Sequence, residues 1–270
     1  MPSLTPVCSF ESLHPEDLAA SIKTSSGRLS RQLVSIAPLG LGYEQFLKWS
    51  IQDIDAASAS ANADQMMRYS VNALMNARRS LSCLADQYLV RDCFRFCRDV
   101  PREANKIAEL LERRGVFDSL AGKALRHAVG LRNRVEHDYE QISLKDAQVT
   151  VQLIRSTIEN CVAKSNPYQA PALFGRFLGG YSGGPQGEVH HFDGWHELIF
   201  LLARCESPPW FGVVIPSSST DAIVLKVPFS EMTCDQLLNT LLTLETLSAP
   251  GSSIYGEQTF VDQLTCLGLR

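Results

Sequence analysis

No two of the eight cysteines in this 270-residue chain are spaced Cys-x-x-Cys; they are scattered from Cys8 to Cys266. That lack argues against a zinc ribbon and a thioredoxin-type centre. No uninterrupted apolar run approaches the roughly 18–20 residues that a helix needs to cross a bilayer, so no membrane span is expected. The N-terminus has no basic segment followed by an apolar run, which argues against secretion and makes a cytoplasmic protein with buried, reduced thiols the expectation. Nor is there an excess of positive charge: 25 basic side chains stand against 29 acidic ones, for a formal charge of -4. A polycationic surface that holds nucleic acid along its whole length is therefore excluded, and any phosphate ligand has to be held by a local concentration of cations.

What is present is helical periodicity. Apolar residues recur at three- and four-residue intervals from Tyr43 through Phe46, Leu47, Ile51 and Ile54. A second stripe follows Asn62 or Asp64 as cap and runs Met67, Val71, Leu74, Leu81, Ala85 and Tyr88, interrupted by Arg78. Pro101 suits the first turn of a third helix that stops at Gly115. Ser119 is placed to cap a fourth, with Leu120, Ala124, Ala128, Leu131 and Val135 on one stripe. Ser143 precedes a fifth that ends at Asn166-Pro167. Five amphipathic helices with short connections imply an antiparallel bundle.

Outside this stretch the composition changes. Residues 1–43 carry Ser, Pro and Gly punctuation and read as an arm, with a short helix near Pro15–Ile22. Residues 175–187 are glycine-rich and read as flexible. Trp195–Cys205 reads as helical, and Trp210–Ile215 and Ala222–Val227 as two strands. Thr233 with Gln236 forms a capping box ahead of Leu237, Leu241 and Leu244. The expected organisation is an arm over 1–43, a helical domain over 44–166, and a small α+β domain or extension over 167–270. The fold class is mainly α.

The most informative segment is Leu131-Arg132-Asn133-Arg134-Val135-Glu136-His137-Asp138-Tyr139. Arg, a polar residue, three further residues and His, with Tyr two positions on, resembles the motif of the HEPN family and its toxin members in particular. The resemblance spans the bundle, about residues 44–164. It implies a homodimer whose motifs face each other across a twofold axis. It also implies metal-independent endoribonuclease activity without a cofactor, of the kind found in toxin and defence effectors, with RNA as substrate and an antitoxin or regulatory protein as partner. Other members of the family are non-catalytic modules that bind nucleotides, RNA or proteins, and that alternative stays open.

The residues suit the chemistry so implied. Histidine titrates near neutrality, at about 6.5 when unperturbed, so His137 is able to take a proton from a 2′-hydroxyl or give one to the leaving oxygen. The planar fork of Arg132 matches phosphate oxygens and offsets charge that grows on the phosphorane. On a helix of about 100° per residue, Arg132 and His137 lie roughly 140° apart, so one chain does not present both on one face. A dimer axis would bring them together. Asn133, one turn before His137, is placed to orient the ring. Tyr139 returns to the Arg132 face, where it could touch phosphate or be a modification target, and Arg78 is a supporting cation.

Residues 101–134 hold Arg102, Lys106, Arg113, Arg114, Lys123, Arg126, Arg132 and Arg134 against Glu103, Glu109, Glu112 and Asp118, a local excess of four positive charges. Arg126 and Arg134 are the candidate substrate contacts. Against this, Arg132–Glu136 and Arg134–Asp138 are also spaced as ordinary solvated ion pairs. His190, His191, His196 and Glu197 lack metal-ligand spacing, so no metal site is expected.

Overall fold

The computed structural model describes residues 30–38, 40–137, 141–178, 196–203, 209–215 and 222–248. It divides into two units, one comprising residues 35–95 and 100–170 and the other drawing on 1–34, 96–99 and 171–270. The first is a helical bundle: α1 Tyr43–Ala59, α2 Ala63–Arg91, α3 Ala104–Arg113, α4 Ser119–His137 and α5 Leu144–Lys164. Small side chains bring α1 and α2 close together. Ser50 donates its hydroxyl to the Ala73 carbonyl (2.8 Å) and Ser80 to that of Tyr43 (2.7 Å), between the buried Ala57, Ala73 and Ala77. Around them Leu81, Leu84, Tyr88, Leu111, Ile154 and Ile158 are almost wholly removed from water. Each such side chain contributes about 1.5–3 kcal/mol of transfer free energy.

The helix ends follow local chemistry. Asn62 caps α2 by accepting from the Gln65 amide (3.0 Å), and Ser143 caps α5 by accepting from Asp146 (3.1 Å). Gly115 adopts φ +77, the left-handed conformation that lets the chain leave α3. Two expected starts shift. Pro101 lies outside α3, which begins at Ala104. Ser119 is the first residue of α4 rather than its cap, because the preceding Asp118 takes that role and accepts from the Ala121 amide (2.8 Å).

Asp118 also ties α4 to the far end of α5, accepting from Asn160 (2.9 Å) and Lys164 (2.8 Å). The Lys164 hydrogen bond first, and the Ala121 amide next, hold its carboxyl below the ordinary aspartate value. A depressed folded value means stabilisation that is present above pH ~4 and is lost as pH falls through that value. Asp118→Ala is expected to cost about 1–2 kcal/mol at pH 7, read as a lower urea midpoint at unchanged slope. The gap from the parent should close in acid. Nearby, burial first and the Asp118 charge second push the Cys161 thiol up to about 11, so it packs as a small protonated hydrophobe.

The other unit is a five-stranded sheet in the order β1 Ser30–Ser35, β2 Gln169–Leu178, β3 His196–Ala203, β4 Trp210–Ile215 and β5 Ala222–Pro228, followed by α6 Cys234–Ser248. Neighbours from β2 to β5 are antiparallel, with Phe174 opposite Phe200 and Phe200 opposite Val213. The capping box forms as expected: the Gln236 amide donates to the Thr233 hydroxyl (3.1 Å) and the Thr233 amide to Gln236 (2.9 Å). Phe229, Leu237, Leu238, Leu241 and Leu244 are buried. Phe96 stacks on Phe229, and the Cys234 amide donates to Asp99 (2.7 Å), which is how residues 96–99 come to belong with this unit.

The structure corrects three expectations here. The segment read as a helix over Trp195–Cys205 is β3, because the run Leu198–Leu202 pairs with a strand on each side. A short apolar run of this length fits either element on periodicity alone. Residues 169–178 form a strand despite Pro171 and Gly175, and Ser30–Ser35 of the arm is a strand as well. The helix expected near Pro15–Ile22, and most of the glycine-rich stretch, lie outside the described residues. The chain is mainly α, a helical bundle with a small α+β part. Among the described residues no helix is long and apolar enough to cross a membrane.

Candidate functional site

The motif sits on the last two turns of α4. Leu131 and Val135, four residues apart, anchor it in an apolar cluster with Leu74 of α2, Ile54 of α1, Ala147 of α5 and Ile142 from the connection before α5. Four segments thus fix the backbone between them. Arg132 emerges at the margin of this cluster, half-buried, and lines a space of about 10 Å³ with Leu74, Met75, Ala128, Leu131, Val135 and Thr150. A long cationic side chain buries its methylenes in this way while its head group reaches a polar partner. The partner is Asn133: Nη1 of Arg132 donates to its Oδ1 at 3.1 Å.

The Asn133 carbonyl oxygen thus serves the guanidinium, and its carboxamide nitrogen is the donor it can offer to a ring one turn on. Asn133 and Arg134 are exposed. The helix continues through His137, so positions 133 and 137 are one turn apart while 132 and 137 are about 140° apart. The side chains of Glu136 and His137, and residues 138–140 with Tyr139, lie outside what the structure describes.

Several of the counted cations are engaged in holding the bundle. Arg114 is buried, with Nε 3.0 Å from Asp92, which also pairs with Arg91 (2.7 Å). Arg126, half-buried, donates to Glu112 at 3.2 Å, and Lys106 pairs with Glu103 at 3.0 Å. The Glu112 carboxylate lies where a Cβ on Gly122 would be, so the glycine makes room for the Arg126–Glu112 bridge between α3 and α4. Arg114, buried against Asp92, is one of the eight counted cations that does not add to a surface groove.

Arg78 lines a cleft of about 420 Å³ with Arg95, Arg102, Asp86 and Ser82, whose apolar lining includes Ala85, Ile107, Leu125 and Val129. Burial raises the Asp86 carboxyl above its ordinary value, and Arg95, 3.4 Å away, partly opposes that rise. Arg95 comes to this position through the turn after α2, where Cys93 takes φ +66. Sequence reasoning named Arg78 and counted Arg102 among the local cations, but did not bring them together with Arg95 and Asp86. The signal was there: Arg78, Ser82 and Asp86 recur every four residues along α2 and form a polar stripe beside its apolar one. Among the described residues no cluster of His, Cys, Asp and Glu could hold a metal ion.

Comparison with known proteins bears on the helical unit alone. Residues 87–164, from the last turn of α2 through α5, match the family model described as Ribonuclease HepT-like. Neither a curated protein nor a solved structure matches the chain.

Proposed function

We propose, from the premise that residues 87–164 are a HEPN-type domain of the HepT-like ribonuclease family, that the protein is a metal-independent endoribonuclease acting as a toxin or defence effector. The observation that carries this reading is the arginine–histidine motif at the end of α4, held by the Leu131–Val135 anchor inside the matched domain. His137 takes the proton of a ribose 2′-hydroxyl, the freed oxygen attacks the adjacent phosphorus to close a 2′,3′-cyclic phosphate, and the 5′-oxygen of the next nucleotide leaves as its bond to phosphorus breaks, taking a proton from water while the imidazolium returns its own to solvent. Arg132, its guanidinium steadied by Asn133, offsets the extra charge on the phosphorane. Because one helix separates the two positions by about 140°, the pair is drawn from two subunits around a twofold axis. Arg134 and Arg126 contact flanking phosphate, Tyr139 meets phosphate or accepts a modification, Arg78 is a supporting cation, and an antitoxin masks the dimer's cleft.

The test is direct. Purified protein incubated with total RNA or tRNA, with and without chelator, is expected to cut in both cases. The products should end in 2′,3′-cyclic phosphate, and RNA whose 2′-hydroxyls are methylated should survive. Dependence on added metal, cutting of the methylated RNA, or inertness towards every RNA tried would remove the proposal. Saturable RNA or nucleotide binding without turnover would favour a non-catalytic binding module instead.

A further inference from the structure

The cleft around Arg78 concentrates positive potential beyond the one supporting cation that the reaction above draws on. Three guanidiniums, Arg78, Arg95 and Arg102, line it against one carboxylate, Asp86. It also reaches the start of α3, since Pro101, Arg102 and Ala104 are among its walls. That helix end has no side-chain cap and its dipole favours an anion, with the Glu103 carboxylate at the N-cap taken up by Lys106 at 3.0 Å. The lining also holds the apolar Ala85, Ile107, Leu125 and Val129. A volume of about 420 Å³ falls in the range of small-ligand sites. Cations and apolar side chains lining one cleft suit a phosphate joined to a sugar and base.

The cleft is also in line with the motif. Leu125 and Val129 belong to α4, and Arg132 follows them by seven and three residues, so all three share one stripe of that helix. At 1.5 Å per residue, Arg132 stands about 4.5 Å along the axis from Val129. We propose that the cleft seats a nucleoside phosphate, delivered as the RNA residue flanking the one at Arg132. This rests on the nuclease reading above, and its test is made on binding rather than cutting so that the two can fail separately.

The experiment uses the full chain carrying His137→Ala, to suppress cleavage, and a short fluorescein-labelled single-stranded RNA followed by anisotropy at several salt concentrations. Arg95→Ala and Arg102→Ala should each weaken binding about 3- to 10-fold, and each should make the slope of log Kd against log salt shallower by about 0.7. Asp86→Asn should tighten binding about 2- to 3-fold, an effect that mere disturbance of the fold does not produce. Arg155→Ala, which removes an exposed cation of α5 paired with Glu159, is the control and should stay within about twofold. Unchanged affinity and slope in both arginine variants would overturn the proposal, as would weaker binding in Asp86→Asn. AMP titrated into the same proteins separates the sources: loss of AMP binding with RNA binding intact would overturn the assignment to RNA. A parent protein that cuts no RNA yet shows these affinity changes loses the nuclease reading and keeps the cleft. One that cuts while the arginine variants bind normally does the reverse.

Discussion

Arg132→Ala and His137→Ala, each inactive alone, are expected to recover activity when mixed. Loss of a positioned proton-transfer group costs about 10²–10⁴-fold, and loss of a cation aimed at developing charge costs about 10²–10³-fold, so each variant should fall near background. If the reacting pair comes from two subunits, a mixed dimer has one site lacking both groups and one site intact. Equal mixing with free exchange gives half mixed dimers, each with one of two sites working, so about a quarter of the parent rate should return. The helix geometry behind this is simple: α4 runs unbroken through both positions, so no single chain turns them to one side. RNA cleavage after co-refolding the two variants measures it. No recovery, with mixed dimers demonstrated by a size-tagged subunit, would show that the pair acts within one chain or that all four groups are needed. The Arg132 variant should also lose its hold on Asn133, so Asn133→Ala is expected to be milder than either parent substitution.

Much of the helical unit could be read in advance because its physics is local. The stripes from Tyr43 to Ile54 and from Ala147 to Cys161 declare which face is buried, while Asn62 and Ser143 mark starts by offering an oxygen to an exposed amide. Where two residues of the same capping class adjoin, as Asp118 and Ser119 do, spacing does not choose; the tie to Asn160 and Lys164 does. β3 was misread for a related reason. Leu198 to Leu202 carry no period of their own, and what makes them a strand is having β2 and β4 alongside. The motif was visible as letters, and its anchors Leu131 and Val135 as a stripe. The use Asn133 makes of its oxygen depends on rotamers, which no spacing rule supplies. Counting cations over 101–134 misled in the same way, since charge along a chain says nothing about which arginines are already matched by Asp92 and Glu112.

The Asp92 match is where the largest loss of stability is expected. Asp92 is wholly buried at the end of α2, and both its oxygens are used: Arg91 donates to them from Nε (3.0 Å) and Nη2 (2.7 Å), and Arg114 approaches from Nε (3.0 Å). Arg91 is further held by Ser165 and lies over the Tyr88 ring at 4.9 Å, while Tyr88 donates its hydroxyl to the Ser165 carbonyl. One carboxylate therefore sets two buried cations, the end of α2, the end of α3 and the end of α5. Asp92→Ala removes the buried carboxylate that both guanidiniums share and should cost about 3–5 kcal/mol, a large share of the roughly 5–15 kcal/mol that holds a domain together. Asp92→Asn keeps the shape and one acceptor but not the charge, and should recover only part of that. The instructive variant replaces all three charges with apolar residues of similar size, as Arg91→Met, Asp92→Leu and Arg114→Met together. Burying an ion cluster carries a desolvation cost that its internal attraction barely offsets, so this triple variant is expected to lie far closer to the parent than Asp92→Ala does. Urea midpoints of the four proteins measure the order. If Asp92→Ala shifts the midpoint no more than an exposed ion-pair deletion such as Glu159→Ala, the cluster is solvated in solution and its packing role is refuted.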